Sequence, residues 1–250
     1  MSGHSKWSQI KRQKGAADVR RGAAFTKVTR EIAIAVREGG SDPDGNYKLR
    51  LAVEKARSVN MPQDTIKRAI ERASGAGQAE RYEEVVYEGY GPGGVALLVE
   101  SATDNRNRTA ADVRSIFSKH GGQLAGAGSV AWQFEPRGVI SVDPKGTSSD
   151  DIALLAIDAG ASDVDADADL VEVYVEPSDL ERVRGDLEGA GLSVDSAEIS
   201  MIAKMPITVE PARARQNLRL VEALEEHDDV QRVTANFEIP EEVFAEAAAG

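Results

Sequence analysis

The spacing of apolar residues changes near residue 80, from a helical period to alternation, so this chain is expected to build more than one core. Before that point Phe25, Val28, Ile32, Ala35 and Val36 recur three or four apart until Gly39-Gly40 stops the run. Leu49, Val53 and Ala56 within 46–58, and Ile66, Ala69 and Ile70 within 62–73, repeat the pattern, and three short helices are predicted up to the Gly75-Ala76-Gly77 linker. From Tyr82 the apolar residues Val86, Val95, Leu97 and Val99 read as strands. A helix is predicted over Thr109–His120, with Thr109 and Asp112 at capping-box spacing and Gly121-Gly122 as its stop, followed by a strand over Val130–Phe134.

The next stretch has its own order. Strand Val139–Val142, helix Ser149–Ala159, strands around Asp163–Asp169 and Val171–Val175, helix Ser178–Ala190 and strand Leu192–Ile202 spell βαββαβ, the ferredoxin-like arrangement. After it, Ile207–Val209, a helix over Ala212–Glu226 and a strand over Val230–Phe237 supply elements that residues 82–135 lack. The expected fold class is therefore α+β and multidomain. It comprises a basic arm and three-helix domain (1–78), a discontinuous α+β domain (79–135 with 205–250) and an inserted acidic ferredoxin-like domain (136–204).

Charge follows these borders. The 250 residues carry a formal charge of −12, yet the first 37 hold nine Lys or Arg against two acids. Residues 1–72 hold 16 basic and 8 acidic side chains, while residues 137–204 hold 5 and 16. A basic end on an acidic chain points to a polyanion, most commonly nucleic acid, and the inserted domain should turn from phosphates toward solvent or a protein partner. Without cysteine, disulfides, thiolate zinc sites and cysteine nucleophiles are excluded. The basic start lacks the apolar core of a signal peptide, and no run of apolar residues is long enough to span a membrane. A soluble cytoplasmic protein is expected.

Gly89-Tyr90-Gly91-Pro92-Gly93-Gly94 satisfies G-x-G-x-x-G, but a strand follows it rather than a helix. Pro92-Gly93 suits the centre of a type II turn, so a hairpin tip is predicted. Asp104-Asn105-Arg106-Asn107-Arg108-Thr109 joins a strand end to a helix start. Asn105, Arg106, Asn107 and Arg108 can bind phosphates and base edges there, or Asn and Asp can shape the turn while the Arg side chains are solvated or paired with Glu100 or Asp112. Asp165, Asp167, Asp169 and Glu176 have calcium-loop spacing, but Leu170 stands where such a loop needs Gly, and solvent-facing Asp on strands is the preferred reading. His4, His120 and His227 are scattered, so no metal, cofactor or catalytic set is expected. In the arm, Trp7 can stack on a base while Lys6, Lys11, Arg12 and Lys14 pair with phosphates; the competing reading folds Trp7 back onto the helical bundle and leaves the cations solvated. Arg20, Arg21, Lys27 and Arg30 extend the basic set along the first helix, where Arg20, Lys27, Arg30 and Arg37 lie opposite the apolar stripe.

Gly3-His4-Ser5-Lys6-Trp7, Phe25-Thr26-Lys27, Asn60-Met61-Pro62, Tyr87 through Gly94, Asp104 through Thr109 and Gly128-Ser129-Val130-Ala131 together resemble the YebC/PmpR family, which includes mitochondrial translational activators of cytochrome oxidase. The resemblance runs from residue 2 to about residue 240. It implies a three-domain cytoplasmic protein with the last domain inserted in the middle one. Members are described as probable transcriptional regulators that bind DNA, and some as translation factors acting on ribosomes stalled at proline-rich stretches. No catalytic residue is implied.

The expected function is thus a non-enzymatic regulator of gene expression that binds nucleic acid, either DNA as a transcriptional regulatory protein or ribosomal RNA and tRNA as a ribosome-associated factor. The acidic inserted domain is left for a protein partner. A metal-dependent enzyme acting on nucleic acid through Asp104 and Asp112 is a remote alternative.

Overall fold

The computed structural model describes residues 6–10, 18–75, 82–166 and 170–249. The chain divides into two compact units, one of residues 16–130 with 215–233, the other of residues 1–15, 131–214 and 234–250.

The first unit opens with a bundle of α1 (Asp18–Gly39), α2 (Tyr47–Ser58) and α3 (Gln63–Ser74). The predicted stripe is the one that packs, and Ile32, Leu49, Ala56 and Ile66 are almost wholly buried. Asn46 fastens α1 to α2. Its side-chain oxygen accepts the Leu49 N–H (3.1 Å), and its amide donates to the carbonyls of Ala35 (2.7 Å) and Gly40 (2.8 Å). One buried side chain thus caps one helix and satisfies the carbonyl end of another.

Strands β1 (Glu83–Tyr90) and β2 (Ala96–Thr103) form the antiparallel hairpin, paired from Glu83↔Thr103 to Tyr90↔Ala96. At its tip the Gly94 N–H donates to the Gly91 carbonyl (3.1 Å) and Gly93 has φ +84°, the type II turn expected from Pro92-Gly93. A four-stranded sheet results when β3 (Gln123–Leu124) joins β1 and β9 (Val230–Ala235) joins β2. Helix α4 (Arg106–Lys119) lies against β1, where a Cβ on Gly89 would sit 2.6 Å from the Phe117 ring. This helix starts three residues before the predicted Thr109. Asn105 is the cap, its side chain accepting the Arg108 N–H (3.1 Å), which places Thr109 inside the helix and buried.

The second unit holds β4 (Phe134–Asp143), α5 (Ser149–Asp158), β5 (Asp163–Ala166), β6 (Val171–Val175), α6 (Leu180–Gly189) and β7 (Ser193–Ala203). The sheet order β5-β6-β4-β7, antiparallel throughout, is the ferredoxin-like topology read from βαββαβ. Residues 130–134 do not form a strand of their own; Ala131–Gln133 is one 3-10 turn, and β4 runs unbroken through Pro136. Proline is tolerated because β6 pairs with β4 only from Gly138 to Val142, leaving Pro136 with β7 alone as neighbour. Parallel pairing of β8 (Ile207–Thr208) with β10 (Phe237–Glu238) and helix α8 (Glu241–Ala249) complete this unit, and α7 (Pro211–Glu225) carries the chain back to the first. Among the described residues no helix is long and apolar enough to cross a membrane.

Candidate nucleic-acid interface

On α1, Lys27, Arg30 and Arg37 are turned toward their own unit. Lys27 Nζ donates to the Glu225 carbonyl, Arg30 donates to the Asp228 carbonyl, and Arg37 Nη1 donates to the Tyr82 carbonyl at 3.1 Å. Arg30 also stacks over the Tyr82 ring, 5.3 Å from its centroid. Carbonyls that α7 leaves open at its C-terminal end are natural acceptors for cations, because the helix dipole concentrates negative charge there.

Arg30 and Arg108, read in the sequence as separate contacts, converge on one carboxylate. Asp229 is almost wholly buried and accepts from Arg30 Nη1 (2.9 Å), Arg108 Nη2 (2.8 Å), Thr109 Oγ1 (2.6 Å) and Thr103 Oγ1 (3.3 Å). Burial pushes its pKa up, but the hydrogen bonds from Arg108 and Thr109 and the Arg30 charge outweigh burial and hold it below the ordinary aspartate value. Donating to Asp229 and to Asp104 (2.7 Å) raises the Arg108 pKa still higher. Arg108 is therefore paired, with Asp229 and Asp104 rather than Glu100 or Asp112, while Arg106 remains outward near Glu83. Asp112 faces His227 (3.3 Å), so Asp104 and Asp112 have different partners. Among the described residues no three His, Asp or Glu side chains gather as a metal site.

What α4 leaves outward is different. Asn107, Ala111, Arg114 and Ser118 recur at helical spacing along its exposed stripe, with Ser115, Lys119 and Arg106 beside them, and none of these is acidic. Arg106 is two-thirds exposed, with Glu83 at 4.0 Å. Arg114 and Lys119 stand out only on a wheel of the whole helix, where the outer stripe is polar and cationic and the half-exposed Asp112, facing His227, marks its edge beside Lys119.

Residues 6–10 are helical and belong to the second unit, not to the three-helix bundle. Lys6 Nζ is buried, donating to the Ile239 carbonyl and to Glu241 (both 2.9 Å) and lying over the Phe244 ring. Trp7 is half-buried. The exposed tryptophan is Trp132, at 67 %, carried on the 3-10 turn before β4. Its neighbour Gln133 accepts the Lys204 N–H (2.9 Å), so Trp132 and the exposed Met205 flank one backbone hydrogen bond. Lys11, Arg12 and Lys14 lie outside the described residues, and Arg20 and Arg21 lie in the first turn of α1 with side chains outside the described ones.

A three-helix bundle followed by two four-stranded sheets with their helices defines a multidomain α+β protein. Residues 5–76 match the TACO1/YebC protein N-terminal domain, and residues 82–237 match the TACO1/YebC second and third domain. The chain belongs to the TACO1/YebC family. It is 54 % identical to a "probable transcriptional regulatory protein" of Rubrobacter xylanophilus over 99 % of this chain and all of that one. It is 53 % identical to a protein of the same name in Roseiflexus castenholzii, over the full length of both. A crystal structure of a conserved hypothetical protein from Aquifex aeolicus superposes with a TM-score of 0.85 at 44 % identity, covering 90 % of this chain and 93 % of that one.

Proposed function

We propose that this chain is a non-enzymatic regulator of gene expression that binds duplex DNA, with the outer face of α4 as its main contact. The carrying observation is that stripe of cations, amides and small residues, whose central row, Asn107, Ala111, Arg114 and Ser118, includes no acid. Ala111, Ser115 and Ser118 let the helix backbone approach closely, while Arg106, Arg114 and Lys119 reach phosphates. The major groove of B-DNA is about 12 Å wide and admits a helix of this kind, whereas the A-form major groove is too deep and narrow. The name carried by the relatives agrees with this reading. Lys11, Arg12, Lys14, Arg20 and Arg21 add phosphate contacts in the same scheme.

The test is fluorescence anisotropy on duplex DNA at several salt concentrations, comparing the wild type with Arg114→Glu/Lys119→Glu. Loss of two phosphate contacts should reduce the slope of log K against log salt by about 2 and weaken binding on every sequence. Unchanged affinity and slope would sink the proposal for α4. Cytoplasmic location follows from the same reading.

A second reading, a ribosome-associated factor that relieves stalling at proline-rich stretches, is favoured by Trp132. A tryptophan this exposed offers a platform for an unstacked RNA base. Salt-sensitive co-sedimentation with ribosomes, lost on Trp132→Ala, would shift the assignment to RNA.

A further inference from the structure

The two helices that cover the ferredoxin-like sheet present opposite outer faces. On α6 the exposed positions are Glu181, Arg182, Asp186 and Glu188, the ordinary make-up of a solvated face. On α5, Ile152 and Ala156 point into the core, while Leu154 is 62 % exposed, Ile157 57 % and Leu155 39 %. Leu154 and Ile157 are three apart and form one apolar ridge. Asp150, Asp151 and Asp158 stand around it, all exposed, and α5 carries no cation. Ser148 caps the helix, accepting the Asp151 N–H at 3.1 Å, so the ridge stands on a well-started helix rather than a frayed one.

We infer that the outer face of α5 docks a protein partner through a cationic amphipathic helix, whose apolar side chains cover Leu154, Leu155 and Ile157 and whose Lys or Arg meet Asp150, Asp151 and Asp158. Charge complementarity selects this occupant. The surrounding domain, residues 137–204, has 16 acids against 5 bases, so nucleic acid and anionic lipid headgroups are both repelled. A second copy of this chain fits poorly, because its exposed cationic stripe on α4 carries Ala111, Ser115 and Ser118 and no large apolar residue. Apolar anchors ringed by charges of one sign give affinity through the anchors and selection through the ring.

The experiment uses the full chain and three labelled peptides: a Leu/Lys amphipathic helix, a Leu/Glu counterpart, and a Leu/Lys peptide scrambled so that no apolar face forms. Binding is followed by fluorescence anisotropy. The wild type should prefer the Leu/Lys helix over both others. Leu154→Ser/Ile157→Ser, which leaves net charge unchanged, should weaken that binding about tenfold or more, since it removes two exposed anchors. Asp150→Asn/Asp158→Asn should weaken it less and flatten its salt dependence. Because these side chains are exposed, the thermal midpoint of each variant should match the wild type, which separates lost docking from lost folding. Equal binding by the Leu154/Ile157 variant would overturn the proposal, as would equal preference for the scrambled peptide. A wild-type dimer in sedimentation equilibrium that this variant dissolves would overturn it in favour of a second copy.

Discussion

Replacing Asp229 by Ala removes the one carboxylate that serves Arg30, Arg108, Thr109 and Thr103. The cost is set by what is left behind. The Arg30 side chain is only 11 % exposed and would keep its charge without a counter-ion, and breaking a buried pair from one side costs about 3–5 kcal/mol. Arg30 retains the Asp228 carbonyl and the Tyr82 ring, which argues for the lower end of that range. Arg108 is nearly half exposed, hydrates readily and still holds Asp104, so it adds under about 1 kcal/mol. A loss of about 3 kcal/mol corresponds to a fall in Tm of about 6–12 °C for a chain of this size. Both tryptophans lie in the other compact unit, so helical ellipticity rather than tryptophan emission should follow the transition. The control is the double change Arg30→Met/Asp229→Leu, which removes both charges and should be more stable than Asp229→Ala. A loss below about 1 kcal/mol, or a double variant less stable than the single one, would refute the reasoning.

The depressed Asp229 pKa makes stability depend on acid: its contribution is complete above the unfolded aspartate value, about 3.9, and disappears as pH falls through the lower folded value. Urea titrations at falling pH should show that loss in the wild type and a flatter profile in Asp229→Ala. Asn46→Ala should cost about 2–3 kcal/mol, because it removes a helix cap and strips the Ala35 and Gly40 carbonyls of a donor; hydrogen exchange at the α1–α2 junction should rise with it. Gly91→Ala would place a Cβ 2.0 Å from Asn217 Oδ1, whose amide already donates to the Pro92 carbonyl (2.8 Å), and should cost about 1–3 kcal/mol by chemical denaturation.

Local signals in the sequence were read correctly where the physics is local. Pro92-Gly93 names its own turn, because one residue presets φ and the other accepts a positive one. The ferredoxin-like order was legible because each strand and helix buries a face that repeats at its own period. Thr109 misled because Thr and Asp three apart mimic a capping box, while its hydroxyl in fact serves Asp229, 120 positions away. Lys27 and Arg30 misled in the same manner: a basic stripe looks alike whether it meets phosphates or the carbonyls at and after the end of α7. Buried Glu88 shows the limit most plainly. Its carboxylate accepts the Gly128 and Val130 N–H groups (both 2.6 Å) and pins the loop after β3, yet in the sequence it is one acid among many.

Asp229 is also late in time. Thr103 precedes it by 126 positions, and ribosomes add about 5–20 residues per second, so the strands that need it wait about 6–25 s for its synthesis. Over that interval the nascent first unit has its bundle and hairpin translated, but β2 lacks the neighbour that β9 provides and Arg30 lacks its counter-ion. The entire ferredoxin-like insertion is made, and can fold, inside the pause. Completion of the first unit is therefore tied to a stretch translated after the whole insertion, and a chain truncated before residue 229 presents an open sheet edge to proteases, however well its other domain has formed.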